Sequence, residues 1–159
     1  MLTATKPLAA LTAADVMTRD LVLIPRQMSV RCAARLLSEA CVSGAPVIDR
    51  DGAVVGVLSG TDFLRHAHRE PPVCERIVGP CVCADWQVVE VERLPGEEVT
   101  HYMTADPVTA QATAPITALA RMMLDAHIHR VVIVDDDGRP VGIVSATDVL
   151  AAVARADRQ

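Results

Sequence analysis

The sequence predicts a duplicated α+β fold (mixed α/β), and three observations carry that prediction. First, the chain repeats itself without a gap: Met17-Thr18 recurs 86 positions later as Met103-Thr104, Asp51-Gly52 as Asp137-Gly138, and Thr61-Asp62 as Thr147-Asp148. Second, each copy carries one stretch with helical apolar spacing followed by two short strand-like runs. Third, those runs are almost continuous Val, Ile and Leu, which predicts strands covered by helices rather than wetted on one face.

The elements come in the same order in each copy. A short helical turn ends at each Met-Thr, and an extended piece follows it, Leu21 to Ile24 in the first copy and Val108 to Ala110 in the second. Val30, Ala33, Ala34, Leu37 and Ala40 then keep the spacing of an amphipathic helix, as do Ile116, Leu119, Ala120 and Met123. A strand (Ala45 to Ile48; Val131 to Val134) runs into Asp-Gly, a dipeptide suited to a tight hairpin turn because glycine accepts a positive φ. The return strand (Val54 to Leu58; Val141 to Val144) leads to a last helix starting near Thr61 or Thr147. Residues 70–97 have no counterpart; they open on Pro71-Pro72, which cannot continue a helix, and contain a strand-like run from Trp86 to Val91. The expected division is a tail (1–10), a first motif (11–69), this inserted linker, a second motif (98–155) and a short tail (156–159).

Composition narrows the function. With 159 residues the chain can bury a sizeable core, and since its aromatics are Phe63, Trp86 and Tyr102 alone, that core is aliphatic. A net charge of -5 and the shortage of stacking rings argue against nucleic acid as partner. No apolar run reaches the roughly 20 residues a membrane span needs, and residues 1–10 lack the pattern of a signal peptide. The expectation is a cytoplasmic protein away from membranes. Cys32, Cys41, Cys74, Cys81 and Cys83 are an odd set that reads as reduced thiols rather than a disulfide framework.

The chemistry-bearing pattern is Ser59-Gly60-Thr61-Asp62 and its repeat Ser145-Ala146-Thr147-Asp148, each at the start of an expected helix. A carboxylate there accepts hydrogen bonds from both hydroxyls of a ribose diol, while Ser and Thr with the helix N–H groups suit a phosphate. The plainer reading is a capping box, Ser-x-x-Asp, and both can hold together. His129-Arg130 supplies local positive charge for an anionic ligand, against the plain reading of a surface arginine beside a half-buried histidine. His127 and His129, and likewise His66 and His68, sit two apart and read as poor metal pairs; no metal site is expected.

The order of Met-Thr, the Asp-Gly hairpin and Gly-Val/Ile-Leu/Val-Ser-x-Thr-Asp, present twice, resembles the CBS domain, named after cystathionine β-synthase. The resemblance covers about residues 11–69 and 98–155. It implies two motifs packed about a pseudo-twofold axis with two clefts between them, ligands of the AMP, ADP, ATP, S-adenosylmethionine or NAD class, and homodimers. It maps the ribose-binding aspartate onto Asp62 and Asp148, with Ser59, Thr61, Ser145 and Thr147 as hydroxyl neighbours, and a basic pair onto His129 and Arg130. The first copy departs from that pair with Ser43 and Gly44, weakening the expected phosphate grip there. Apolar and backbone contacts to adenine are expected around Val108, Thr109 and Ile133.

The resulting expectation is a non-catalytic regulatory module that binds an adenosyl ligand as regulator and acts through an unknown effector protein. No catalytic residues are expected, because the chain has no Gly-x-Ser-x-Gly, phosphate-cradling glycine loop or His-Glu-x-x-His. Two alternatives stand beside it: a ligand-free protein–protein interaction module, and a redox or metal device built on Cys74, Cys81 and Cys83.

Overall fold

A computed structural model describes residues 6–67 and 94–156. The expected strand at Trp86 to Val91, the break at Pro71-Pro72, and Cys74, Cys81 and Cys83 lie outside the described residues.

Among the described residues two sheets form, each around one antiparallel hairpin. In the first copy β1 (Ile24–Pro25) runs parallel to β2 (Gly44–Ile48), which pairs antiparallel with β3 (Val54–Ser59). A fourth short strand, β4 (Thr104–Ala105), adds to the outer edge of β3. In the second copy β5 (Thr109–Gln111) runs parallel to β6 (Arg130–Val134), which pairs with β7 (Pro140–Ser145).

Each hairpin is flanked by helices: α2 (Val30–Glu39) and α3 (Gly60–Ala67) in the first copy, α4 (Ile116–Asp125) and α5 (Ala146–Ala156) in the second, while α1 (Ala13–Val16) packs against α5 and β7. In α2 the Ser29 hydroxyl accepts from the Cys32 N–H at 3.3 Å, satisfying one of the unpaired donors at the helix start. Its Val30, Ala33, Ala34 and Leu37 face the core, as the three-and-four spacing predicts. Both amphipathic helices stop in the same way, at a left-handed residue: Cys41 (φ 54°) and, at the repeat position, His127 (φ 53°).

The Asp-Gly sites form the expected hairpin turns, and a preceding aspartate adds to each. The loop spans Asp49 to Ala53, and the Asp49 carboxylate accepts from the Asp51 and Ala53 N–H groups, both at 2.9 Å. Asp135 does the same for Asp137 and Arg139, at 3.0 and 2.8 Å. The preceding aspartate therefore holds the turn, as a side chain replacing a backbone acceptor, while Gly52 (φ 84°) and Gly138 (φ 74°) supply the positive φ. The return strands depart from expectation. β2 and β6 are buried through their middles, whereas β3 and β7 alternate, burying Gly56 and Leu58, or Gly142 and Val144, between half-buried residues.

The repeat unit is not the packing unit. α1, at the front of the first copy, lies on the second: the Ala13 and Ala14 N–H groups bond to the carbonyls of Ala114 and Ala112, and Thr18 exchanges backbone bonds with Ile143 at 2.9 and 3.0 Å. Met17 covers Gly142 on β7, where a Cβ would overlap its side chain. Reciprocally, the segment before β4 lies on the first copy, with Val30 N–H bonded to Glu97 O and Val99 N–H to Met28 O. Met103 covers Gly56 as Met17 covers Gly142. Each of the two cores thus contains residues of both copies. Leu94, Val99 and Tyr102 pack with Ile24, Val30, Val47 and Leu58, and Ala13 and Met17 pack with Leu119, Val131, Ile133 and Val144. The exchange carries the backbone of one copy past the helix-starting tetrapeptide of the other.

Candidate functional site

β7 ends at Ser145 and α5 begins at Ala146, so Ser145 is the residue before the helix and Asp148 is the third within it. The carboxylate Oδ2 of Asp148 accepts from the Ser145 N–H at 2.8 Å and its hydroxyl at 2.7 Å, and the Asp148 N–H donates back to the Ser145 hydroxyl at 3.2 Å. The capping box is therefore formed, and it fixes the carboxylate at the cost of one oxygen only. Among the described residues no donor meets the other oxygen, Oδ1. Asp148 is half-buried.

The same tetrapeptide in the first copy has a different fate. Asp62 Oδ2 accepts from the Ser59 N–H and hydroxyl, both at 2.8 Å, but Oδ1 also accepts from the Thr104 hydroxyl at 3.1 Å. The Arg65 guanidinium stands 3.9 Å from the same oxygen, and the residue is only 4% exposed.

Asp148 opens on a cleft of about 310 Å³ between the two copies. The second copy contributes Arg130, Ile143, Ser145, Thr147 and Asp148 to it. The first contributes Thr18, Asp20, Leu21, Val22 and the Cys41–Gly44 turn. Arg130 reaches across to donate to the Ser43 hydroxyl. The walls therefore offer the free oxygen of Asp148, the Asp20 carboxylate, one guanidinium, several hydroxyls and a small aliphatic surface. That set suits a molecule carrying a vicinal diol, an anionic group and a flat apolar part.

The sequence-predicted residues separate accordingly. Asp148, Ser145, Thr147 and Arg130 come together. His129 does not join them: it lines an apolar recess of about 520 Å³ on the opposite side, with Met123, Leu124, His127, Ile128 and Leu150. Adjacent residues entering a strand point to opposite faces, so the expected basic pair is split. Ser43 and Gly44, read as a weakness of the first copy, instead line the cleft that Arg130 enters.

Ser59 and Asp62 sit together at the other helix start, with Thr61 exposed beside them. Val108 and Thr109 are exposed at the front of the second copy, and Ile133 is fully enclosed in the core, so its side chain offers a ligand no surface. The apolar walls beside Asp148 are Leu21, Val22 and Val42. Their signal was present in the repeat, because Val22 stands 86 positions before Val108. The sequence assigns Val108 and Thr109 to neither Asp62 nor Asp148, and the exchange of front segments sets the repeat partner Val22 beside Asp148.

A family model for the CBS domain matches residues 13–69 and 98–155. The chain is 28% identical over 164 residues to CBSX2, a chloroplastic CBS domain-containing protein of Arabidopsis thaliana, with 93% of this chain and 66% of that protein covered. It thus spans just under two thirds of that relative's length. The crystal structure of CBSX2 in complex with AMP superposes with a TM-score of 0.71 at 28% identity, over 92% of this chain and 98% of that one. The CBS domain pair of protein MJ0100, in complex with 5'-methylthioadenosine and S-adenosyl-L-methionine, superposes with a TM-score of 0.72 over 92% and 98% of the two chains. At 20% identity this second likeness shows the fold alone. With a match in each copy and the same paired architecture throughout, the chain belongs to the CBS domain family.

Proposed function

We propose that the chain is a non-catalytic regulatory module that binds an adenine nucleotide or other adenosyl ligand in the cleft beside Asp148. The observation that carries this reading is the convergence of Asp148 and Arg130, an acceptor for a diol and a donor for an anion, on one cleft with aliphatic walls. In this reading Asp148 Oδ1 accepts from the ribose hydroxyls, and Arg130 with Thr147 and Ser43 meets the phosphate or other polar tail. Adenine lies against Leu21, Val22 and Val42. The likeness to CBSX2, whose structure contains AMP, supports the ligand class. Titration calorimetry with AMP, ATP and S-adenosylmethionine tests it. Asp148→Asn keeps an oxygen for the cap and loses the charge, which costs about 1.5–3 kcal/mol for a charge-assisted bond, or on the order of 10- to 100-fold in affinity. Unchanged affinity in both Asp148→Asn and Arg130→Met overturns the site; absence of heat with all three ligands overturns the ligand class.

Binding joins groups from both copies and biases their relative packing, and a partner protein that distinguishes the two packings reads the signal. The proposed setting is the cytoplasm; no helix among the described residues is long and apolar enough to cross a membrane.

One observation favours a further interaction role. Leu124 and Leu150 are 73% and 67% exposed and border the apolar recess between α4 and α5, a face that the homodimer expected from the family would cover. Sedimentation of the wild-type chain as a dimer and of Leu124→Glu as a monomer supports this assembly; a monomeric wild type overturns it.

A further inference from the structure

The two helix-starting tetrapeptides are equivalent in sequence and opposite in state. By the repeat, Thr18 bears the same relation to Asp148 as Thr104 bears to Asp62. Thr104 donates its hydroxyl to Asp62 at 3.1 Å, while Thr18 lines the open cleft in front of Asp148. The backbone explains the difference. Thr104 and Ala105 form the strand β4, paired with Val57 and Gly56, whereas Thr18 makes a single bridge to Ile143. Immediately after β4 the chain turns through a left-handed residue, Asp106 (φ 50°), and its counterpart Asp20 does not adopt that conformation. A non-glycine residue with positive φ carries a conformational cost, so this turn is held by the contacts on either side of it. Beside this turn the Thr104 hydroxyl meets the Asp62 carboxylate. The Thr104 hydroxyl and the Arg65 guanidinium, 3.9 Å away, together cover the oxygen whose counterpart in Asp148 faces the cleft. Asp62 is left 4% exposed.

Building on the proposed adenosyl site, we propose that Thr104 is an internal latch: its hydroxyl takes the place of a ligand hydroxyl at Asp62, closes the second pseudo-equivalent cleft, and limits the chain to one adenosyl ligand. Positive charge follows the same division. Arg130 reaches toward Ser43 in the Asp148 cleft, and His129 faces the recess between α4 and α5. A nucleotide at Asp62 would have to displace Thr104 and would find Gly44 at the repeat position of Arg130.

Stoichiometry decides the matter. Calorimetric titration of the full chain with AMP gives one site per chain for the wild type, one for Thr104→Ser, which keeps the hydroxyl, and two for Thr104→Val, which keeps the shape and removes the donor. Thermal melts of the three proteins verify that each is folded. Two sites in the wild type overturn the latch and leave the proposed function standing. One site in a folded Thr104→Val chain overturns the role of Thr104. No binding in any of the three overturns the adenosyl reading itself, and the latch with it.

Discussion

Asp15 shows how strongly a surface carboxylate can be committed by its neighbours. The Lys6 ammonium bonds to it at 2.8 Å, and the Thr12 N–H and hydroxyl each donate at 2.9 Å. Led by the Lys6 bond, these donors lower its pKa from 3.8 to about 2. A carboxyl whose folded pKa lies below its unfolded value stabilises the fold above the unfolded pKa and loses that contribution as pH falls toward the folded one. The window here is from about pH 4 down to about pH 2, following the shift from 3.8. Carbon-detected NMR titration of the Asp15 carboxyl should show a midpoint below that of an ordinary aspartate, and Lys6→Met should move it upward. A midpoint near 4 in the wild type would count against the bond network, since surface ion pairs are screened and often weak.

Between elements, each Met-Thr meets a glycine of the other copy's return strand in a tight joint. A Cβ on Gly142 would lie 3.1 Å from Met17 Cβ, part of the side-chain stem, besides overlapping the sulfur. A Cβ on Gly56 would lie 2.9 Å from the Thr104 carbonyl oxygen, which cannot swing aside. Overpacking of this kind costs about 1–3 kcal/mol. Gly142→Ala and Gly56→Ala should each lower Tm by several degrees, with Gly56→Ala the worse because backbone must move. Melting by circular dichroism measures both; a Tm unchanged in either variant would show that the front segment is free to shift. These glycines stand in the sequence as Val-Gly within each return strand, and their close approach to a methionine of the other copy has no local signature.

In the molecule as a whole, the two cores among the described residues each depend on both copies. A fragment ending before Leu94 lacks Leu94, Val99 and Tyr102, three buried members of the first core. Residues 1–93 alone should therefore give no cooperative melt and no dispersed amide spectrum, and adding the separately prepared remainder should restore both. A well-folded monomeric fragment would refute the dependence. The hairpins, their helices and the position of the capping aspartates were legible because short-range pattern determines them: three-and-four spacing in α2 and α4, aliphatic runs in β2 and β6. The exchange was not legible, because a perfect repeat gives the same register whether α1 packs on its own copy or on the other. The unequal state of Asp62 and Asp148 was hidden because Ser, Thr and Asp occupy both sites identically, and neither the Thr104 contact nor the nearness of Arg65, where the repeat has Ala151, follows from local pattern.

The exchanged front segments also bear on how the protein can be made. A domain complete within its own stretch of chain can fold as it leaves the ribosome, before later residues are joined to it. Here β2 and β3 emerge well before Val99 and Tyr102, so their apolar face waits, uncovered, for chain that has not yet been synthesised. α1, made before β2 and β3, waits longer still for β7, a partner more than a hundred residues downstream. Such distant pairings slow folding by the loop entropy they must first overcome. Assembly is then a late event that completes both halves together, once nearly all of the chain is available.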